Sequence, residues 1–111
     1  MRLRANVLAA AGLGLVAVAA LAACKSTPMA STAQCEHLLD HFIDLKLTED
    51  AAARAMTDVE RARHRGQIAL DVLSDPDVKQ VKYQCQTEVT AAEYECAVKA
   101  RTSREWNDCI Q

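Results

Sequence analysis

The chain has 111 residues, with fifteen acidic and thirteen basic side chains and a formal net charge of −2. This length allows one small domain, and a domain of that size usually needs fastening beyond its hydrophobic core. The charge balance excludes the basic surplus typical of nucleic-acid binders, so we expect no nucleic-acid partner.

The N-terminal part of the sequence has the layout of a secretory signal peptide. Arg2 and Arg4 form a short basic head, and an apolar run follows from residue 7 to residue 23. Small residues end the run, as they do before a signal-peptide cleavage site.

The stretch Leu21-Ala22-Ala23-Cys24 resembles the lipobox of bacterial lipoproteins, in which the chain is cut before the cysteine. The resemblance implies that residues 1–23 are removed as a signal peptide. It also implies that Cys24 becomes the new N-terminus and carries a diacylglyceryl thioether, with an amide-linked acyl chain such as palmitate. The mature protein is then expected in the bacterial cell envelope, anchored to a membrane by lipid and exposed outside the cytoplasm.

Two other interpretations of this stretch stay open. The apolar run of seventeen residues reaches the lower limit of about 17–25 residues for a membrane-spanning helix, although it is mostly alanine and glycine. The other interpretation is an ordinary signal peptide, which leaves Cys24 as a free thiol.

Cysteine usage after Cys24 predicts two disulfides. Removal of residues 1–23 leaves 88 residues with eleven basic and fifteen acidic side chains, a net charge of −4. An even set of four cysteines in an oxidising compartment favours disulfide pairing. The spacing matches neither a short zinc-type pair nor the C-x-x-C of thioredoxin-like proteins. The four are Cys35, Cys85, Cys96 and Cys109.

We divide the mature chain into a lipidated tether, residues 24–30, and a helical domain, residues 31–111. The tether is short, polar and interrupted by Pro28. Ser31 and Gln34 have the spacing of a capping box, which predicts a helix to about Leu47. Apolar residues at steps of three and four place its buried face at Cys35, Leu38, Phe42 and Leu45.

A second, long helix is predicted to begin at Thr48 and to run toward Leu73. Glu49 and Asp50 follow Thr48 and favour a helix start through the helix dipole. Gly66 disfavours a helix interior by about 1 kcal/mol, so a break there is the alternative. A seam of mostly small residues is expected to pack: Ala52, Ala55, Val59, Ala62, Gly66, Ala69 and Leu73.

Three further helix starts follow in the C-terminal part. Asp75-Pro76 suits an N-cap and first helical position, and capping boxes begin at Thr90 and at Thr102. No stretch shows the alternation or turn residues of a β-hairpin. The sequence therefore predicts an all-α fold, a small disulfide-stapled bundle of four or five helices after the signal peptide.

The predicted turn near Thr102 suggests how the cysteines pair. Cys96 and Cys109 lie at similar distances on either side of it, so an antiparallel helical hairpin brings them within disulfide reach. Cys35 then pairs with Cys85. The rival pairing, Cys85–Cys96 with Cys35–Cys109, is also roughly symmetric, about the Thr90 turn.

Candidate ligand-binding residues lie on the first helix. His37 and His41 are one turn apart and, with Asp44, have the spacing of a zinc or copper site. The alternative is a polar, solvated helix face. No glutamate stands where a metalloprotease needs its general base.

Two other groups have both a binding and a structural interpretation. The cluster Arg61–Arg65 has the chemistry to receive an anionic group or to form an exposed, charge-balanced helix surface. Trp106 and Tyr94 suit a binding patch or, as we expect for Trp106 beside Cys109, the core.

No catalytic combination of residues is found, so we predict a protein that is not an enzyme and has no cofactor besides the lipid on Cys24. The expected function is that of an envelope lipoprotein with a structural or interaction role and an envelope protein as its partner. The alternative is a metal-binding lipoprotein that uses His37, His41 and Asp44.

Overall fold

The computed structural model describes residues 27–110, so the predicted signal peptide and Cys24 lie outside the described residues. Within this range the chain forms five α-helices and one 3-10 helix, and the predicted all-α class is confirmed. The helices are α1 (Thr32–Glu49), a 3-10 helix (Ala51–Ala55), α2 (Asp58–Ser74), α3 (Pro76–Glu88), α4 (Ala91–Val98) and α5 (Ser103–Cys109).

Helix α1 is the centre of the bundle, because it contacts every other helix. It begins with the predicted capping box: the Ser31 hydroxyl accepts from the Gln34 N–H at 3.2 Å, and the Gln34 amide oxygen accepts from the Ser31 N–H at 2.9 Å. Leu38 is fully buried. The apolar face of α1 packs as its spacing predicts, and its buried residues are Cys35, Leu38, Leu39, Phe42, Ile43 and Leu45.

The predicted long helix from Thr48 is wrong. Helix α1 continues to Glu49, and the Thr48 hydroxyl donates to the Asp44 carbonyl at 2.9 Å instead of capping a new helix. The actual cap is Thr57, whose hydroxyl accepts from the Glu60 N–H at 3.3 Å while Glu60 accepts from the Thr57 N–H at 2.8 Å. This is a complete capping box, whereas Thr48 has no Glu or Gln three residues later.

The predicted seam of small residues is also wrong over most of its length. Helix α2 passes through Gly66 without a break, but Val59 is 71% exposed. Only Val72 in this helix is buried, and its neighbours Ile68, Ala69 and Leu73 pack against the core. The apolar packing of α2 against the bundle therefore lies in its C-terminal half.

Helices α3 and α4 begin where the sequence predicts. The Asp75 carboxylate accepts from the Asp77 N–H at 2.9 Å, and Pro76 occupies the first turn of α3. At the start of α4, Thr90 and Glu93 form the reciprocal bonds of a capping box, at 2.9 and 3.1 Å. Asp75 is thus both the C-cap of α2 and the N-cap of α3, whereas the C-cap of α3 is Val89 and the N-cap of α4 is the next residue, Thr90.

The start of α5 differs from a full capping box. The Thr102 hydroxyl accepts from the Glu105 N–H at 3.1 Å, but the Glu105 carboxylate accepts from the Arg101 N–H at 2.7 Å. A second carboxylate reaches this end from α1, because Glu49 accepts from both the N–H and the hydroxyl of Ser103, at 2.7 Å each. The backbone hydrogen bond from Ser103 lowers the pKa of Glu49.

Both disulfides join the predicted partners. Cys35–Cys85 links α1 to α3 with a Cα–Cα distance of 5.9 Å. Cys96–Cys109 links α4 to α5 with a Cα–Cα distance of 5.7 Å. Each distance lies within the range that a disulfide requires.

The segment 28–30, included in the predicted tether, lies against the helical domain. The Ala30 N–H donates to the Val89 carbonyl, and the Ala91 N–H donates to the Pro28 carbonyl, both at 2.9 Å. These bonds form a single antiparallel β-bridge, and Ala30 is 4% exposed. The chain is therefore held against the α3–α4 connection immediately before α1 begins.

Candidate functional site

The two histidines of the predicted metal site contact other parts of the bundle. His37 Nδ1 lies 2.9 Å from the Tyr94 hydroxyl. His41 Nε2 lies 2.9 Å from the Ala100 carbonyl, and it must carry the proton because a carbonyl only accepts. Both contacts hold α1 against α4 and the turn that follows it.

Asp44, the third predicted ligand, forms an ion pair. Its carboxylate accepts from Arg65 Nε at 2.7 Å, so a metal ion bound there competes with the guanidinium for the negative charge. Among residues 27–110, no three His, Cys, Asp or Glu side chains are gathered as a metal site. The nitrogens left for an ion are Nε2 of His37 and Nδ1 of His41.

The basic cluster of α2 is paired in part, and its partners come from other elements. Arg65 binds Asp44 and lies 3.6 Å from Asp40, and the hydrogen bond to Asp44 raises the pKa of Arg65. His64 Nε2 lies 2.6 Å from the carboxylate of Asp50. This hydrogen bond raises the pKa of His64 and lowers the pKa of Asp50. The cluster thus fastens α2 to α1 and to the start of the 3-10 helix.

A concavity of about 460 Å³ lies beside this cluster, between α1, the 3-10 helix and the first half of α2. Arg54 and Arg61 line it, and both are exposed. Asp44 also lines it, and its negative charge opposes the attraction of the two arginines for an anion.

Trp106 and Tyr94 belong to the core, as expected for Trp106. Trp106 is 2% exposed and Tyr94 is 9% exposed. The indole N–H of Trp106 donates to the Leu38 carbonyl at 3.2 Å, and its ring centroid lies 4.5 Å from that of Phe42. Helix α5 is thereby packed directly onto α1.

A second concavity, of about 480 Å³, involves α3 and α5. We call it the acidic groove. Its floor is apolar and is formed by Val78, Val81, Cys85, Val89, Trp106 and Ile110.

The remaining lining residues of the acidic groove are carboxylates and amides. None of its twelve lining residues is Lys, Arg or His. The polar ones are Asp77, Glu88, Glu93, Gln80, Gln84 and Asn107. This combination suits a ligand that is both apolar and positively charged.

The sequence contains a partial signal for the acidic groove. Asp77, Gln80, Gln84 and Glu88 follow one another at steps of three and four residues, which places them on one side of α3. They lie beside the apolar residues Val78, Val81 and Cys85 of the same helix, so the sequence predicts a polar border along one side of an apolar surface. The opposite wall is formed by α5, and its approach depends on long-range packing that no local pattern indicates.

Comparisons with protein-family models, with curated protein sequences and with solved structures gave no match for this chain. Across residues 27–110, every helix is too short or too polar to cross a membrane.

Proposed function

We propose that this chain is a lipid-anchored interaction module of the bacterial cell envelope and has no enzymatic activity. The observation that carries the proposal is the segment 28–30, which is bound to the domain a few residues after the lipobox cysteine. Cys24 and Pro28 are four residues apart in the sequence, so their Cα atoms are separated by at most about 14 Å. A lipid on Cys24 therefore holds the domain next to the membrane surface.

The hydrogen bonds of the described serines do not include the contact that a serine nucleophile needs. A nucleophilic hydroxyl needs an adjacent base. The hydroxyls of Ser31 and Ser103 act at helix starts, and that of Ser74 donates to the Leu70 carbonyl. Among the described residues, no serine hydroxyl is hydrogen-bonded to a histidine.

The metal-binding alternative has less support, because His37, His41 and Asp44 all make contacts within the fold. Titration of the full chain with zinc and copper ions tests it. An affinity lost in a His37→Ala, His41→Ala variant supports the alternative. An affinity equal in both proteins removes it.

Metabolic labelling with a palmitate analogue in a bacterial host tests the lipid anchor. We expect labelled protein in the membrane fraction, and no label in a Cys24→Ser variant. The matched control is Cys96→Ala with Cys109→Ala, which removes two cysteines and keeps Cys24. Label that persists in Cys24→Ser contradicts the proposed anchor.

Crosslinking in intact envelopes tests the interaction role. The full-length lipidated protein, with its disulfides intact, is expected to capture one dominant partner. This partner should be lost when Cys35 and Cys85 are both changed to alanine, since Cys85 lies in the floor of the acidic groove. No enriched partner in repeated experiments contradicts an interaction role.

A further inference from the structure

We propose that the acidic groove binds a basic, amphipathic helical segment of a partner protein. This inference rests on the proposed function, because it names the chemistry of the partner that the interaction module takes. It follows from the apolar floor of the groove, from the sign of the charge around it and from its length.

The floor of the groove offers apolar surface that the fold does not cover completely. Val81 and Ile110 are only partly buried, and they lie in the same concavity as the buried Trp106. Covering partly exposed apolar groups with another apolar surface removes them from water, which favours association. The volume of about 480 Å³ is within the range of ligand sites.

The charge around the floor is negative and is not neutralised by the domain. Asp77, Glu88 and Glu93 line the groove. None of them forms an ion pair among the described residues, where the four pairs involve other carboxylates. Glu93 accepts from the Thr90 N–H, an interaction that leaves its negative charge in place.

The acidic and basic residues of α3 lie on different sides of the helix. Asp77 and Glu88 line the groove, whereas Lys79 and Lys82 of the same helix do not. A positively charged segment therefore meets carboxylates in the groove without approaching the lysines of α3. Charge complementarity of this kind selects a basic partner over an acidic one.

The length of the groove suggests the size of the segment. Asp77 and Glu88 are eleven residues apart on one helix, which corresponds to about 16 Å along its axis. A helix of about three turns spans this distance. Such a segment would carry a basic residue near each end and an apolar face between them, a recurring mode of helix-in-groove recognition.

A synthetic helical peptide of leucine and lysine is the probe for this site. The chain has one tryptophan, and Trp106 lines the groove, so its fluorescence reports on binding there. With full-length lipidated protein in a non-ionic detergent, we expect a saturable change in Trp106 emission. The matched peptide of leucine and glutamate should give no change.

Variants of the protein separate the groove from the overall charge. Asp77→Asn with Glu88→Gln should weaken binding about fivefold, as expected for the loss of two solvent-accessible ion pairs. Asp58→Asn with Asp71→Asn removes the same charge from exposed positions of α2 and should leave affinity unchanged. Carbodiimide crosslinks from the peptide lysines should map to Glu88 and Asp77.

Three results would overturn the proposal: equal binding of both peptides, equal effects of the two pairs of substitutions, or a second copy of this chain as the crosslinked occupant. None of them bears on the anchor, which palmitate labelling at Cys24 tests separately. Conversely, loss of the label with retained peptide binding contradicts the anchor and leaves the groove as proposed.

Discussion

Helices α1 and α2 have nearly the same length, 18 and 17 residues, but they have different places in the molecule. Both begin with a complete capping box. Helix α1 buries six residues, whereas α2 buries only Val72. The comparison shows that caps decide where a helix begins, while the continuity of its apolar stripe decides whether it becomes the centre of a bundle.

Polar contacts replace apolar packing at the N-terminal half of α2. Arg65 reaches Asp40 and Asp44 of α1, and His64 reaches Asp50 at the start of the 3-10 helix. Solvent-accessible ion pairs of this kind contribute little to stability, because water and salt screen the charges. We therefore expect substitutions around α1 to change stability much more than substitutions on α2.

The largest expected effect is the loss of a disulfide. Cys35 and Cys85 are 50 residues apart, and Cys96 and Cys109 are 13 apart. Chain entropy predicts a cost of about 4 kcal/mol for replacing the first pair with alanine and about 3 kcal/mol for the second. Urea unfolding of the two variants and the unchanged protein measures both values. A larger cost for the second pair would contradict the assignment of α1 as the centre of stability.

A pair of leucines compares α1 and α2 directly. Leu38 of α1 is fully buried, and Leu70 of α2 is 70% exposed. Leu38→Ala should cost about 2–5 kcal/mol through lost burial and the cavity left behind. Leu70→Ala should change stability by less than about 0.5 kcal/mol.

The same urea experiment measures both leucine variants, and Leu70→Ala serves as the control for the change of leucine to alanine itself. Similar costs for the two substitutions would mean that the exposed side of α2 is covered in the folded protein. That result would contradict the contrast between the two helices.

Local signals predicted most of the fold but not the attachment of α2. The capping pattern predicted the starts of α1, α3 and α4, and the symmetry about Thr102 predicted the Cys96–Cys109 pair. The start of α2 was missed because Thr48 has acidic neighbours, although Thr57 carries the complete pattern. The predicted packing of the seam through Val59 is wrong because helical spacing shows only which residues share a side of the helix. It does not show whether another helix approaches that side.

For the candidate ligand-binding residues, too, local spacing predicted only part of the structure. His37 and His41 share a side of α1, as their spacing requires, but their hydrogen bonds go to Tyr94 and to the Ala100 carbonyl, 57 and 59 residues away. The acidic groove likewise depends on how α5 approaches α3. Spacing within one helix predicts a row of residues, whereas a site also requires the partner surface that tertiary packing supplies.

A glycine substitution should strengthen α2 without new contacts. Gly66 lies inside the helix, and a Cβ there would meet no atom within 4 Å other than those of its chain neighbours and of the adjacent helix backbone. Its φ is not positive, so alanine fits without backbone strain, and Gly66→Ala should stabilise the protein by about 0.5–1 kcal/mol. Thermal and urea unfolding measure the gain. Ala62→Gly, at an exposed position of the same helix, is the control and should cost a similar amount.

The smallest expected effect is the pH dependence of the His64–Asp50 contact. The hydrogen bond to Asp50 raises the pKa of His64 above 6.5, and the same bond lowers the pKa of Asp50 below 3.8. The histidine contribution is fully present below pH 6.5 and is lost as the pH rises through the raised pKa. The aspartate contribution is present above pH 3.8 and is lost as the pH falls through the lowered pKa.

The contact should therefore stabilise the fold most between about pH 4 and pH 6.5. We expect the difference in unfolding free energy between the unchanged protein and His64→Gln to be largest near pH 5 and to shrink at pH 8 and at pH 3. Contributions of the other two histidines cancel in this difference. When both proteins also carry Asp50→Asn, the difference between His64 and His64→Gln should vanish at every pH. The asparagine keeps an oxygen that accepts from the Ala52 N–H. A difference that stays constant with pH would mean that His64 holds α2 by packing alone.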